Sequence, residues 1–296
     1  MRVERSISSS SVTSSSNYVE DIIDAIGYGR FQYCLLLLCS SGYFALYADL
    51  PVFVFIQSGL MEEYNLTPTT YAIFPFLASF VGMLSSTAFG YISDRYGRKW
   101  PSIATIFLTA LGGMVSSFAW SFWSLIMFRM IVAMALGGIC ALDYVVYVEF
   151  TPESRRGFYS TVIFIGGCLG VVYLAGVNLF DLSFAGVSQW RVLLVLAAVP
   201  LIPTGVACWY FRCETPRYLM SRRKVAEAHA VLSRMAKANH CPPGTVPDLD
   251  EFIARTDEDF VEGKSGTSGT GELGFFEALR EIYHGDEFLR VMSCAH

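Results

Sequence analysis

The chain has 296 residues, 53% of them hydrophobic and only 16% charged, with a net charge of −5. A water-soluble domain carries nearer a quarter charged residues, so the composition excludes an ordinary soluble enzyme, and no nucleic-acid partner is expected. The apolar residues lie in long blocks rather than in stripes of period 2 or 3.6, and a block of about 18 or more reads as a membrane span.

Residues 1–29 open on a serine-rich run, SISSSSVTSSSN, read as disordered, and continue with YVEDIIDAIGYGRFQ, read as a short amphipathic helix. Six apolar blocks follow at 31–57, 69–90, 101–119, 122–150, 158–180 and 192–211. Backbone polar groups in lipid must satisfy one another, so the blocks are expected to be helices, and the short alternating segments of a barrel are absent. The first block is too long for a cleavable signal and is expected to act as a signal anchor. The loop 58–68 is short and acidic and holds a glycosylation sequon, Asn65-Leu66-Thr67, followed by Pro68.

Beyond Phe211 the composition turns polar. Residues 216–240 read as an amphipathic helix with Arg222, Arg223 and Lys224 facing water or head groups, 263–271 as a flexible linker, and ELGFFEALREIYHGDEFLRVM as a further helix. The linker GKSGTSGTG lacks the glycine that a phosphate-binding loop needs five residues earlier, where Glu258 stands. The eight cysteines match no zinc spacing, the four histidines all lie in the tail, and no catalytic set is seen, so neither metal nor cofactor nor enzymatic activity is expected. The expected organisation is a tail and pre-helix at 1–30, a membrane bundle at 31–211 and a helical region at 212–296.

Of the 21 lysines and arginines, 19 fall in the tail, in alternate loops and after the sixth block. The excess of positive charge on one side places both termini in the cytosol. All five tryptophans (100, 120, 123, 190 and 209) fall near a block end, where interfacial rings belong.

Charges inside the blocks are the candidate functional residues, since each costs roughly 2.5–3.5 kcal/mol at mid-span. Asp49 and Arg129 come at similar depths and are expected to pair or to share a water-filled cavity. Asp143, about 21 Å deeper than Arg129 along the same helix, is a candidate cation or proton site, with Tyr144 and Tyr147 nearby. Glu149 is expected to pair with Arg155, Arg156 or the basic loop 95–99. Aromatic residues such as Tyr43, Phe44, Tyr47, Phe74 and Phe76 could line a cavity, and the glycine pairs 112–113, 137–138 and 166–167 are expected at close helix contacts. Between the second and third blocks, GYISDRYGRK concentrates Asp94, Arg95, Arg98 and Lys99 between Gly90 and Gly97. Both glycines are read as permitting close packing and unusual backbone angles.

That loop resembles the signature between helices 2 and 3 of the major facilitator superfamily. Three further matches fall in register. Arg129 with Gly137-Gly138 resembles the family's helix-4 motif, YVEFTPESRRG (147–157) the end of that helix, and ETPRYL (214–219) the motif after helix 6. GYGRFQ (27–32), entering the first block, is most similar to synaptic vesicle 2-related proteins. The resemblance implies an all-α membrane protein holding the N-terminal half of the fold, two inverted three-helix repeats, with cytosolic amphipathic helices. In the family the aspartate matching Asp94 meets helix 11, and this chain stops about where helix 7 would begin. The resemblance further implies a gating loop at Gly90, Asp94, Arg95, Gly97, Arg98 and Lys99, and cytosolic gate contacts at Glu149, Arg155, Arg156, Glu214 and Arg217. It implies transport of small organic solutes or ions by alternating access, coupled to protons through Asp49 or Asp143. Tyr147 would belong to the same site, and the missing half or a homodimer would complete it. The alternative is a truncated, non-transporting membrane component at the surface or on vesicles.

Overall fold

A computed structural model describes residues 18–180 and 188–264, with side chains to residue 256. By backbone contacts the chain divides into a large unit, residues 18–253, and a second made of both chain ends. The large unit is helical: α1 (18–26), α2 (Arg30–Phe55), α3 (Gln57–Glu63), α4 (Pro68–Tyr96), α5 (Lys99–Ser116), α6 (Phe122–Glu149), α7 (Glu153–Asn178), α8 (Gln189–Ala198), α9 (Leu201–Phe211), α10 (Pro216–Ser221) and α11 (Val225–Ala238). A last helix, α12 (Leu249–Lys264), supplies the described residues of the second unit. The serine-rich tail and the ELGFFEALREIYHGDEFLRVM segment lie outside the described residues.

The helix boundaries follow local chemistry. The Thr67 hydroxyl accepts the Thr70 N–H at 3.2 Å, and Pro68 fills the first position of α4, where no backbone donor is needed. Thr67 of the sequon is therefore a helix cap, and Asn65 beside it is exposed with φ +50°. The Ser121 hydroxyl caps α6. Pro200 and Pro203 interrupt the last apolar run, which becomes α8 and α9. Two readings from sequence change here. The loop 58–68 is mostly the short helix α3, and the helix expected over 216–240 is broken at 222–224, where Arg223 takes φ +58°.

Five helical segments are long and apolar enough to cross a membrane: α2, α4, α6, α7 and the α8–α9 run. In the bundle α2 packs on α7, α4 on α6, α5 on α6 and on α8–α9, and α2 on α6 and α8–α9. Exchanging each of these helices with the one three steps along the series α2, α4, α5, α6, α7, α8–α9 maps this set of contacts onto itself. Glycines make its two paired interfaces. A Cβ on Gly137 would lie 2.3 Å from the Gly82 carbonyl oxygen of α4. A Cβ on Gly166 would lie 2.3 Å from the Ser40 carbonyl oxygen of α2. Only glycine lets the backbones meet that closely.

At the arginine-rich end, α1 lays Val19, Ile22, Ile23 and Ile26 against Ala228, Leu232 and Met235 of α11 in one buried cluster. The junction between α1 and α2 is clasped by Asn239, whose side chain accepts the Phe31 N–H at 2.9 Å and donates to Gln32 Oε1 at 2.8 Å. A Cβ on Gly29 would fall 2.5 Å from that side chain. The GYGRFQ stretch is thus the seat on which α11 rests.

Candidate functional site

Helix α6 carries three charged side chains, Arg129, Asp143 and Glu149, and all three are buried. A charge in an apolar interior persists only with a partner, and each finds one on another element.

At the tier farthest from the arginine-rich end, Arg129 Nη2 lies 2.5 Å from both carboxylate oxygens of Asp49 on α2. Its guanidinium sits 5.3 Å from the ring centre of Phe53, which meets Phe74 edge-on at 4.9 Å. The Tyr71 hydroxyl donates to the Phe53 carbonyl in the last turn of α2. Of the two arrangements expected for Asp49 and Arg129, the structure shows direct pairing.

The middle tier holds a partner that sequence reasoning missed. Arg212 Nη2 lies 2.5 Å from Asp143 Oδ1, and the Ser102 hydroxyl of α5 donates to the same oxygen at 3.2 Å. Cys39 of α2 accepts from Arg212 at 3.9 Å. A Cβ on Gly42 would meet Asp143 Oδ2 at 2.0 Å, so that glycine makes room for the carboxylate. Residues of α2, α5 and α6 and the residue that ends α9 thus meet at one ion pair. By sequence Arg212 belongs to the polar region that follows Phe211. It is buried in the bundle, and its position directly after the last apolar residue was the one available signal. Tyr147, expected beside Asp143, instead turns its hydroxyl to Tyr28 at 3.0 Å, and Tyr28 stacks on Tyr159 at 3.8 Å. Tyr144 is exposed, as is Phe76, whereas Tyr43 and Phe74 are buried.

The third tier is the signature loop. Glu149 pairs with Arg98 Nη1 at 2.5 Å, so the basic loop, rather than Arg155 or Arg156, neutralises it. Arg98 Nη2 reaches Asp94 at 3.2 Å. The Glu214 carboxylate accepts the backbone N–H groups of Arg98 at 2.7 Å and Lys99 at 3.3 Å, which caps α5 from the segment after α9. Gly97 is needed twice over: its φ is +97°, and a Cβ there would fall 2.5 Å from Glu214. Gly90 differs from expectation, because a Cβ there would meet nothing within 4 Å. The Arg95 carbonyl accepts from Tyr218 at 3.2 Å and from Arg222 at 2.6 Å, and Lys99 lies 5.4 Å from the ring centre of Trp100. Arg156 and Arg217 both pair with Glu20 of α1, a partner the sequence did not reveal, while Arg155 is exposed.

At the opposite end Glu63 gathers three donors: the Trp190 indole at 2.7 Å, the Ser188 hydroxyl at 2.8 Å and Arg191 at 3.0 Å. Burial alone would push the carboxyl up, but these donors outweigh it and hold the group below its ordinary value. Trp190 is accordingly buried in this clamp, whereas Trp100, Trp120, Trp123 and Trp209 are exposed at helix ends. Among the described residues no cluster of metal-ligating side chains occurs, and the seven described cysteines are free.

A bundle of apolar helices closed on buried charge pairs defines the class: an integral membrane protein. The chain belongs to the sugar (and other) transporter family, whose profile matches residues 35–266. It is similar to the synaptic vesicle 2-related protein of Rattus norvegicus, 32% identical over 225 residues, which are 76% of this chain and 40% of that one. It is also similar to organic cation/carnitine transporter 7 of Arabidopsis thaliana, 29% identical over 269 residues, 89% of this chain and 52% of the relative. The chain therefore spans about half the length, or less, of the curated relatives it matches. Among solved structures the proton:xylose symporter XylE, a major facilitator protein, superposes with a TM-score of 0.65 at 17% identity, covering 80% of this chain and 54% of that one.

Proposed function

We propose that this chain forms the N-terminal half of a secondary transporter that moves small organic solutes or ions by alternating access, with coupling to protons. One observation carries the reading: an ion pair, Asp49–Arg129, buried between α2 and α6 in the apolar body of the bundle. A structural pair at the surface would be cheaper, and ionisable residues inside spans mark ion and substrate paths. Asp49 and Asp143 are the candidate proton carriers, with Arg129 and Arg212 as the cations released when either carboxylate is neutralised. The tier made by Arg98, Glu149 and Glu214 serves as the gate-side latch. The second half comes from sequence corresponding to the unmatched part of the relatives or from a second copy.

We further assign α5 as a sixth span and the arginine-rich end to the cytosol. An 18-residue helix is about 27 Å long, near the thickness of the hydrocarbon core. Its lower hydropathy comes from its first residues, Lys99 to Ser102, which lie at the interface end. The loops at the end bearing Arg95, Arg98, Lys99, Arg155 and Arg156 follow the positive-inside pattern.

The test is uptake into proteoliposomes by the chain together with whatever its gene encodes after His296. Organic cations, amino acids and sugars would be offered with and without a pH gradient. Saturable uptake raised by the gradient is expected, together with its loss in Asp49→Asn and Arg129→Gln protein that still purifies as a folded species. No uptake of any solute class would leave the non-transporting component.

A further inference from the structure

We propose that a slot at the arginine-rich end of the bundle binds an anionic phospholipid by its negatively charged head group. The slot lies between the start of α2, the end of α9 and the face of α11, and is lined by Phe31, Cys34, Leu38 and Phe211, with Arg30 and Arg234 as its charged residues. Its volume of about 200 Å³ is below that of an ordinary small-molecule pocket. It therefore suits one end of a molecule whose remainder lies elsewhere, as a lipid's acyl chains lie in the bilayer.

The position supports the same occupant. Phe211 and, two residues earlier, Trp209 are exposed on α9. Trp209 meets Trp100 edge-on at 5.3 Å, and such rings mark the membrane–water boundary. Cys34 is exposed on α2 below Arg30, so the apolar wall runs from the arginines into the bilayer. Arg30 and Arg234 are both exposed at the rim. His240 Nε2 lies 2.8 Å from Arg30 Nη1, which steadies the guanidinium and leaves its other donors available. Two planar guanidiniums over an apolar wall match a head group of net negative charge joined to hydrocarbon, which a zwitterionic lipid lacks. The orientation proposed above decides only which leaflet supplies the lipid. The site is separate from the buried ion pairs and does not depend on transport.

Native mass spectrometry of the detergent-purified full chain, with phosphatidylserine or phosphatidylcholine added, tests the proposal. One phosphatidylserine should be retained in preference to phosphatidylcholine by roughly tenfold to thirtyfold, the preference expected of two basic side chains near a membrane surface. The double variant Arg30→Gln/Arg234→Gln should lose that preference, as should Cys34→Trp, which fills the slot and keeps both charges. Lys237→Gln, an exposed basic residue of the same helix outside the slot, should keep it. If the double variant does not fold, Arg234→Gln alone should lower the preference at least threefold. Equal retention of both lipids by the unaltered chain, an equal loss in Lys237→Gln, or displacement of the lipid by millimolar inorganic phosphate would each overturn the proposal.

Discussion

Arg129 and Asp49 stand or fall together. Removing one charge leaves the other buried and unpaired, which costs about 3–5 kcal/mol, whereas replacing both with apolar residues of similar size is often close to neutral. Asp49→Asn should therefore lower the stability of the chain in detergent by about that amount. Asp49→Leu/Arg129→Met should melt nearer to the unaltered chain. Thermal unfolding followed by size exclusion would show it, and a double variant as unstable as the single would mean the pair is not the source of the loss. The signature-loop glycines give a second contrast at this scale. Gly97→Ala forces a side chain into a φ of +97° and against Glu214, so it should destabilise by more than about 1 kcal/mol. Gly90→Ala adds a methyl to open space inside a helix, which should stabilise by roughly 0.5–1 kcal/mol. The same melting measurement compares them, and a reversed order would refute the reading of this loop.

At the scale of elements, the Glu63 clamp ties α3 to α8 away from the arginine-rich end. Its carboxyl is held below its ordinary value, so its contribution is present above the pH at which an unfolded glutamate ionises. The contribution disappears as pH falls through the lower value of the folded state. Glu63→Gln should accordingly melt lower than the unaltered chain at pH 7, by no more than about 1 kcal/mol for a partly exposed group. The gap should close at the acid end, and the Trp190 emission should move with it. A gap independent of pH would show that the carboxylate charge is not what holds the clamp. The apolar helices were legible in sequence because their signal is a sum over about twenty residues, so an error of one or two at either end does not matter. Arg212 was illegible for the same reason inverted. Whether it lies inside or outside the bundle depends on a single residue position, and only the packing of α9 on α2 and α5 decides it. The partner of the Tyr147 hydroxyl was illegible because Tyr28, which stacks on Tyr159, comes from the segment before α2, far away in sequence. Asp49 and Arg129 could be matched in sequence because similar depth on two spans is a strong constraint, needing only that the helices be neighbours.

For the whole molecule, the distribution of charge sets the orientation. Arg191, neutralised by Glu63, is the basic residue at the clamp end, while Arg95, Arg98, Lys99, Arg155, Arg156 and Arg217 crowd the other. Moving that crowd across a bilayer would be far costlier than moving Arg191, so the bundle is expected to insert with the crowd in the cytosol. Cys241, which follows α11 and is partly buried, and a cysteine placed at exposed Ser58 at the start of α3 lie at opposite ends of the bundle. In intact cells a membrane-impermeant maleimide should label Ser58→Cys, provided that the cysteines at 34, 140, 168, 213, 241 and 294 are first replaced by serine or alanine. With Cys241 as the remaining reactive thiol, labelling should appear only after the cells are opened. The reverse pattern would invert the bundle and, with it, the cytosolic side assigned to the Arg98–Glu149–Glu214 latch. Labelling of both sites from outside would mean that the helices between them do not form a membrane barrier, and the family fold would then have to be built in this chain by some other partner.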